Sequence, residues 1–521
     1  MRSRKEDRQL MKGKYKRLVV NRIVITVVLI LLQIVWFVFM LEKLARYSSW
    51  ITTAFTALSI AIVLYIIGKD DNSAYKIGWI VLIMTLPLFG GLLYLFLGDK
   101  KPSQNMRRKL NAQHDVFKDT LIQEGELQDR LGKIHGRAAG TFQYVRRVSD
   151  FPAYENTDVT YYPSGEEMFV DMLEELRQAK HFIFLEYFIV AEGRMWETIL
   201  EILKQKAEEG LDVRMIYDDM GCLTLLPAGY YAGLERYGIK CMAFNHVIPF
   251  FSLVMNNRDH RKILDIDGHT AFTGGINLAD EYINEKVRFG YWKDTGVRLK
   301  GDGVWNFTEM FLEMWNAFRK EDTDISCFKP HVHHPGPFEG KGFVQPYTDS
   351  PLDNETIAEN VYLDILHQAK KYVYIFTPYL IVDDVMRNAL CTAAKRGVDV
   401  RIVTPAIPDK PTIFRLTRSN YPPLLRAGIR IFEYTPGFIH AKSYICDDEF
   451  GVVGSVNMDF RSLYLHFECA TLLYRTSGLE ELKKDSLETI AASREITLKD
   501  CKQGIIGGLF DSVLRVFAPL C

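Results

Sequence analysis

Three long apolar runs open the chain, Ile23 to Leu41, Trp50 to Ile67 and Ile77 to Leu97, and none contains a charged residue. Each is close to the roughly 20 residues that span a hydrocarbon core. Short charged linkers separate them, so residues 23–97 are expected to form a transmembrane region, with helices over 23–41, 50–67 and 77–97, in preference to buried core helices. The first run is too long for a cleaved signal peptide, and no small-residue cleavage site follows it. Residues 1–22 form a basic flank, with eight Lys/Arg among the first 17 positions against Glu6 and Asp7. The far flank is basic too (Lys100, Lys101, Arg107, Arg108, Lys109). Basic flanks favour the cytoplasmic side, whereas three crossings would put these two on opposite sides. One segment is therefore expected to be re-entrant or interfacial. It is either the third, with Pro87, Gly90 and Gly91, or the second, with Thr52, Thr53, Thr56 and Ser59.

Beyond Gly98 the pattern changes to short apolar runs exchanging with amphipathic stretches, which predicts an α/β region. Residues 98–135 are polar and basic and read as a linker. The remainder repeats itself. "HFIFLEYFIV" (181–190) answers to "KYVYIFTPYL" (371–380), "GLDVRMIYDD" (210–219) to "GVDVRIVTPA" (397–406), and "YGIKCMAFN" (237–245) to "AGIRIFEYT" (427–435). Two similar lobes are expected, 136–330 and 331–521, each a mixed sheet flanked by helices. They join in "KPHVHHPGPFEGKG" (329–342), where Pro335 and Pro337 favour an interdomain turn over a metal site built on His331, His333 and His334.

Composition narrows the chemistry. A hydrophobic share of 48% and a net charge of −1 describe a core-forming protein without the basic excess of a nucleic-acid binder. The eight cysteines are scattered, without C-x-x-C, so neither a disulfide framework nor a zinc site is indicated, and a reducing compartment fits.

What the lobes share is H-x-K-x4-D: His260, Lys262 and Asp267 in the first, His440, Lys442 and Asp447 in the second. Asn277 and Asn457 each follow their histidine by seventeen residues. In a strand, positions i and i+2 face the same way, so each lysine projects beside its histidine. An ammonium there opposes a metal and favours an anion. Lys262, Lys442, Asn277 and Asn457 suit the non-bridging oxygens of a phosphodiester. Two histidines permit displacement in two steps, one attacking phosphorus while the other handles the leaving and entering alcohols. Each needs a carboxylate on its other nitrogen, and Asp294 and Glu468, both opening strand-like runs, are the candidates. Asp267 and Asp447 close their strands at turns and read equally as catalytic or structural.

The duplicated motif with G-G/S-x-N resembles the phospholipase D superfamily. "NNRDHRKILDIDGHTAFTGGINLADEY", "YWKDTGVRLKG" and "GSVNMDFRSLYLHFE", behind "AYKIGWIVLIMTLPLFGGLLYLFLG", resemble its bacterial cardiolipin synthase branch from about residue 72 onward. The run 23–41 is an extra segment relative to that branch, and His466 stands where it often has asparagine. The resemblance implies two α/β lobes with the site between them, His260 as nucleophile and His440 as acid/base. It further implies a multi-pass enzyme of the bacterial plasma membrane that makes cardiolipin and glycerol from two phosphatidylglycerol molecules, without a metal or cofactor. Rival readings are a phospholipase that delivers the phosphatidyl group to water, a transferase with another alcohol, a nuclease and an inactive scaffold. The apolar segments and the missing basic patch oppose the nuclease, and the intact motifs oppose the scaffold. Two apolar stretches remain. "VIPFFSLVM" (247–255) reads as a buried strand or a membrane-dipping lip. Ile506, Leu509, Phe510, Val513, Leu514 and Phe517 form one face of a C-terminal helix, expected to pack on the core in preference to lying in a membrane interface.

Overall fold

A computed structural model describes residues 35–36, 38–40, 42–43, 49–86, 90–91, 93–95, 98, 104–122, 125–134, 136–247, 257–319, 321–322, 324–352, 355–502 and 504–520. Most of the run 23–41 and all of 247–255 except the buried Val247 lie outside the described residues.

Alternating apolar runs build the first sheet from β1 (Thr157–Tyr162), β2 (Phe182–Tyr187), β3 (Asp212–Asp218), β4 (Lys240–Phe244), β5 (Lys262–Ile266), β6 (Thr270–Gly274) and β8 (Gly296–Gly301), with the short β7 (Tyr291–Lys293) outside it. Its order is β1-β8-β6-β5-β2-β3-β4. The second sheet holds β9 (Phe343–Asp349), β10 (Tyr372–Phe376), β11 (Asp399–Pro405), β12 (Arg430–Tyr434), β14 (Ser443–Cys446), β15 (Phe450–Gly454), β16 (Glu468–Tyr474) and β17 (Ser493–Ile496), while β13 (Gly437–Ile439) stands apart. Its order is β17-β12-β11-β10-β14-β15-β16-β9, the same arrangement with one strand added. In each sheet the strands joined by helices pair in parallel (β2-β3-β4, β10-β11-β12) and those joined by tight turns pair antiparallel. Both sheets are mixed.

The lobes are stitched together by backbone. β7 pairs in parallel with β13, and an isolated bridge joins Asp259 to Phe467. A single apolar cluster runs through both lobes, from Phe184 and Ile263 to Phe467 and Cys469. The helix Trp305–Phe318 is buried along almost its whole length and supplies Phe307, Phe311 and Trp315 to that cluster. Burying aromatics of this size contributes about 1.5–3 kcal/mol each.

The turn after each motif strand repeats in both lobes and gives the motif aspartates a structural role. Asp267 and Asp447 have positive φ (53° and 54°) in turns that return the chain to β6 and β15. The Asp267 carboxylate accepts the backbone N–H groups of Lys180 (2.9 Å), His181 (2.8 Å) and Phe182 (2.9 Å). Asp447 accepts those of Lys370 (2.6 Å), Lys371 (2.8 Å) and Tyr372 (2.8 Å). Seven positions of extended chain separate each aspartate from its histidine, about 23 Å. The motif's aspartates therefore anchor the start of β2 and β10; they do not join the histidines.

At the N-terminal end the helix Ser49–Gly68 carries no charged residue, and its side chains are described from Thr53 onward. Among the described residues no helix is long and apolar enough to cross a membrane. The third run departs from the expected single span. Its helix stops at Thr85, and residues 90–91 and 93–95 are helical again but lie back on what precedes them. Tyr94 meets Trp79 edge-on at 5.3 Å, and Gly90 and Gly91 fit so closely that an added Cβ would stand 2.7 Å from the Ile83 Cα and 2.9 Å from the Ser59 Oγ. Pro87, which cannot extend a helix, falls in the interval. Asn72 caps the helix Ser73–Thr85 through the Ala74 N–H (2.9 Å) and donates to Asp383 (2.8 Å) and Tyr464 (2.8 Å), fastening the hairpin to the second lobe. In the stretch 329–342, His333 stacks on His181 at 4.0 Å, His331 reaches Asp302 at 2.8 Å, and His334 stacks on Phe338 at 4.4 Å.

Asp267→Ala orphans three amide groups, at about 1–3 kcal/mol for each buried one. Chemical denaturation should show a lowered midpoint, while turnover per folded molecule keeps its pH profile; a changed profile would return Asp267 to the reaction centre.

Candidate active site

His260 lies two residues ahead of Lys262, which opens β5, and His440 and Lys442 lie in the segment that leads into β14. Both histidines are 8% exposed. The backbone fixes them against the opposite lobe. The His260 N–H donates to the Phe467 carbonyl (2.8 Å) and the Phe467 N–H to that of Arg258 (2.8 Å), while the His440 N–H donates to the Lys293 carbonyl (2.7 Å). Phe467 and Lys293 immediately precede Glu468 and Asp294.

These bridges exchange the carboxylates between lobes. His260 Nδ1 lies 2.9 Å from both oxygens of Glu468, a second-lobe residue. His440 Nδ1 lies 2.7 Å from Asp294 Oδ2, in the first lobe. Each histidine is held by the other lobe's acid, and both acids are fully buried. Lys262 donates to the His260 carbonyl; Lys442 donates to that of His440 and stands 2.9 Å from His440 Nδ1.

The two pairs are not electrostatically equivalent. Burial, then the charges of Lys262, His466, Lys442 and His440, hold His260 well below the usual imidazole range. Burial pushes Glu468 well up against the pull of Lys262 and Ser455. Burial would also raise Asp294, but His440 and Lys442 outweigh it and Asp294 is lowered, an ionised carboxylate. His440 is depressed to about 4 by burial and Lys442, against Asp294. Burial brings Lys262 down to about 8 and Lys442 to about 7. An anion between them would draw all four basic groups back toward their charged forms.

Asn277 and Asn457 hold the scaffold. Asn277 accepts the Ile189 N–H (3.0 Å) and donates to Tyr282 (2.8 Å), and Asn457 donates to Ser462 (3.0 Å). Aromatic rings wall the centre, with Phe188 4.9 Å from the His260 ring and Trp292 and Tyr282 at 5.4 and 5.5 Å from that of His440. His260, His466 and Glu468 bring one ligand atom each within 4.8 Å of one another, but Lys262 and Lys442 oppose a cation there.

Ser455 was not among the expected site residues. Its hydroxyl binds Glu468 and accepts the Cys469 N–H (3.0 Å). It therefore fixes Glu468 independently of His466, whose Nδ1, 3.9 Å from Glu468 Oε1, is beyond hydrogen-bond range. At the matching position of the first lobe stands Gly275, where an added Cβ would lie 2.0 Å from Asp294 Oδ1. The G-G/S-x-N difference thus carried a signal: one lobe needs a hydroxyl, the other needs space.

Duplicated lobes that lend carboxylates to each other's histidines place the chain among the phospholipase D-like proteins. The family model described as "Cardiolipin synthase, PLD-like domain" matches residues 172–288 and again 362–488, and "Phospholipase_D-nuclease N-terminal" matches 57–98. An uncharacterized protein of Streptococcus mutans is 46% identical over 88% of this chain and 100% of its own length. A cardiolipin synthase of Halalkalibacterium halodurans is 32% identical over 91% of this chain and 95% of its own. In fold, the crystal structure of phosphatidylserine synthase from Haemophilus influenzae Rd KW20 superimposes with a TM-score of 0.55 at 15% identity, covering 73% of this chain and 97% of that one. The chain belongs to the cardiolipin synthase family.

Gly275→Ala should displace the Asp294 carboxylate, lower turnover to the level of Asp294→Asn and lower the thermal unfolding midpoint, since a buried charge loses its partner. Full turnover in Gly275→Ala would show that the Asp294–His440 geometry is dispensable.

Proposed function

We propose that the protein is a membrane-bound phosphatidyltransferase that makes cardiolipin and glycerol from two phosphatidylglycerol molecules. The observation that carries the reading is the pair of buried histidines, each backed by the other lobe's carboxylate, with a lysine beside each. Family membership supplies the lipid.

His260 Nε2 attacks phosphorus, the bond from phosphorus to the headgroup glycerol oxygen breaks, and that oxygen takes the His440 Nε2 proton. This leaves a phosphatidyl-histidine and free glycerol. The terminal hydroxyl of a second phosphatidylglycerol then gives its proton to His440 while its oxygen attacks phosphorus and the P–N bond breaks, releasing cardiolipin. The depressed pKa of His260 supports a neutral nucleophile. The ionised Asp294 supports an imidazolium on His440 once the substrate phosphate adds its charge. Lys262, Lys442 and the uncommitted amide capacity of Asn277 and Asn457 take the non-bridging oxygens. No metal or organic cofactor enters these steps. The uncharged helix Ser49–Gly68 and the apolar hairpin that follows support a multi-pass attachment to the bacterial plasma membrane.

Incubation of the membrane protein with phosphatidylglycerol should yield cardiolipin and glycerol, and His260→Ala or His440→Ala should lower the rate by about 10²–10⁴-fold. Phosphatidic acid as the main product would make the protein a hydrolase, and activity surviving both substitutions would remove the mechanism. The lysines set the pH dependence. Their charge is lost as pH rises through about 7 and 8, so kcat/KM should fall on that alkaline side. Lys442→Arg, which keeps its charge, should move the fall to higher pH at reduced kcat; an unmoved alkaline limb would take Lys442 out of anion binding.

A further inference from the structure

The C-terminal helix Ile505–Phe517 is mounted opposite to the expected way round. Its inward side is largely polar. Asp511 is buried and pairs with Arg415 (2.5 Å), Arg415 also donates to the Gly507 carbonyl (3.0 Å), and Arg515 binds the hydroxyl and carbonyl of Ser419. Of the apolar face, Leu514 reaches the cluster of Tyr75, Phe460 and Ala518. Ile505, Ile506, Leu509 and Val513 point away from the protein at 94, 86, 68 and 48% exposure, while the half-exposed Phe510 lies 4.6 Å from the Arg415 guanidinium.

Such a face is unstable in water, since each exposed side chain forgoes about 1.5–3 kcal/mol of burial. Thirteen residues rise about 20 Å, too short to span a hydrocarbon core but suited to lying along its boundary. The helix packs directly on the hairpin, where a Cβ added to Gly78 would stand 2.9 Å from the Val516 carbonyl. The adjoining helix Ser73–Thr85 exposes Ile77, Val81 and Met84, which are i, i+4 and i+7 of one face. Two helices in direct contact thus each leave an apolar face uncovered. The platform joins the site, because Tyr75 packs on Phe460 (5.7 Å) and Tyr464 (5.9 Å), on the segment between Asn457 and Glu468.

We propose that the outward face of the C-terminal helix lies in the headgroup–acyl boundary of the bilayer as an in-plane anchor, holding the second lobe at the lipid surface. The proposal rests on the reading of the N-terminal helices as membrane-embedded, but not on the reaction.

The test uses the full chain with Cys327→Ser, Cys391→Ser, Cys501→Ser and Cys521→Ser, reconstituted in phosphatidylglycerol/phosphatidylethanolamine vesicles. A nitroxide is placed in turn at Ile506→Cys, Leu509→Cys, Leu64→Cys on the helix Ser49–Gly68 and Lys484→Cys on the outward side of the helix Gly478–Ala491, and collision with oxygen and with a nickel chelate is measured. Oxygen should dominate at 506, 509 and 64, and nickel at 484. Nickel dominating at 506 and 509 while oxygen dominates at 64 would overturn the in-plane anchor alone; nickel dominating at all four would overturn the membrane reading with it. Low collision with both agents at 506 and 509 would mean that protein covers the face, either the run 23–41 or a second copy, and would also overturn the proposal. As a functional arm, Ile506→Glu combined with Leu509→Glu should cut turnover of vesicle phosphatidylglycerol about tenfold and leave that of detergent-dispersed lipid within about twofold. Equal losses on both substrates would count against docking.

Discussion

The exchange of carboxylates between the lobes is the interaction on which the rest of the structure depends. Glu468 reaches His260 and Asp294 reaches His440, so neither lobe holds a complete histidine–acid pair by itself. Both acids are fully buried, and Asp294, held ionised, is a buried charge whose loss of its partner costs about 3–5 kcal/mol. The bridges from His260 to Phe467 and from His440 to Lys293 act one residue upstream of each acid. The site and the lobe interface are therefore one object.

The two halves are copies with different electrostatics. Glu468 is fixed by Ser455 and stays high in pKa; Asp294 fits against Gly275 and stays ionised between His440 and Lys442. A two-step displacement asks its two histidines for different protonation states; burial holds both imidazoles low, and the difference lies in the acids, the ionised Asp294 favouring a charge on His440 once a phosphate binds. The aspartates of the two motifs show the contrary case. Asp267 and Asp447 repeat the same three amide bonds at the same turn because the strand entry they hold is the same in both lobes.

Much of this was legible in the chain. Period-two runs and the internal repeat pointed to two mixed-sheet lobes, and recurrence of H-x-K-x4-D at matching places singled out His260, Lys262, His440 and Lys442. Asp294 and Glu468 could be recognised as acids opening strands, but not assigned to a histidine, since the pairs join residues 208 and 146 positions apart through an interface. Nor could a motif distinguish the members that meet at the lobe interface from Asp267 and Asp447, because spacing along a strand does not say which end faces the other lobe. The C-terminal helix was misread for a related reason. Periodicity finds an apolar face but not its direction, and here Arg415 and Ser419 claim the polar side. The third apolar run is uncharged throughout, and Gly90 and Gly91 are what let it fold back.

The most direct test of the account is the site and rate of covalent labelling during turnover. Acid-quenched reactions with phosphatidylglycerol, digested and read by mass spectrometry, should carry the phosphatidyl group on the peptide containing His260. In Glu468→Gln that adduct should form much more slowly, although the changed residue belongs to the other lobe. An adduct on His440, or one on His260 that forms at the parent rate in Glu468→Gln, would contradict it.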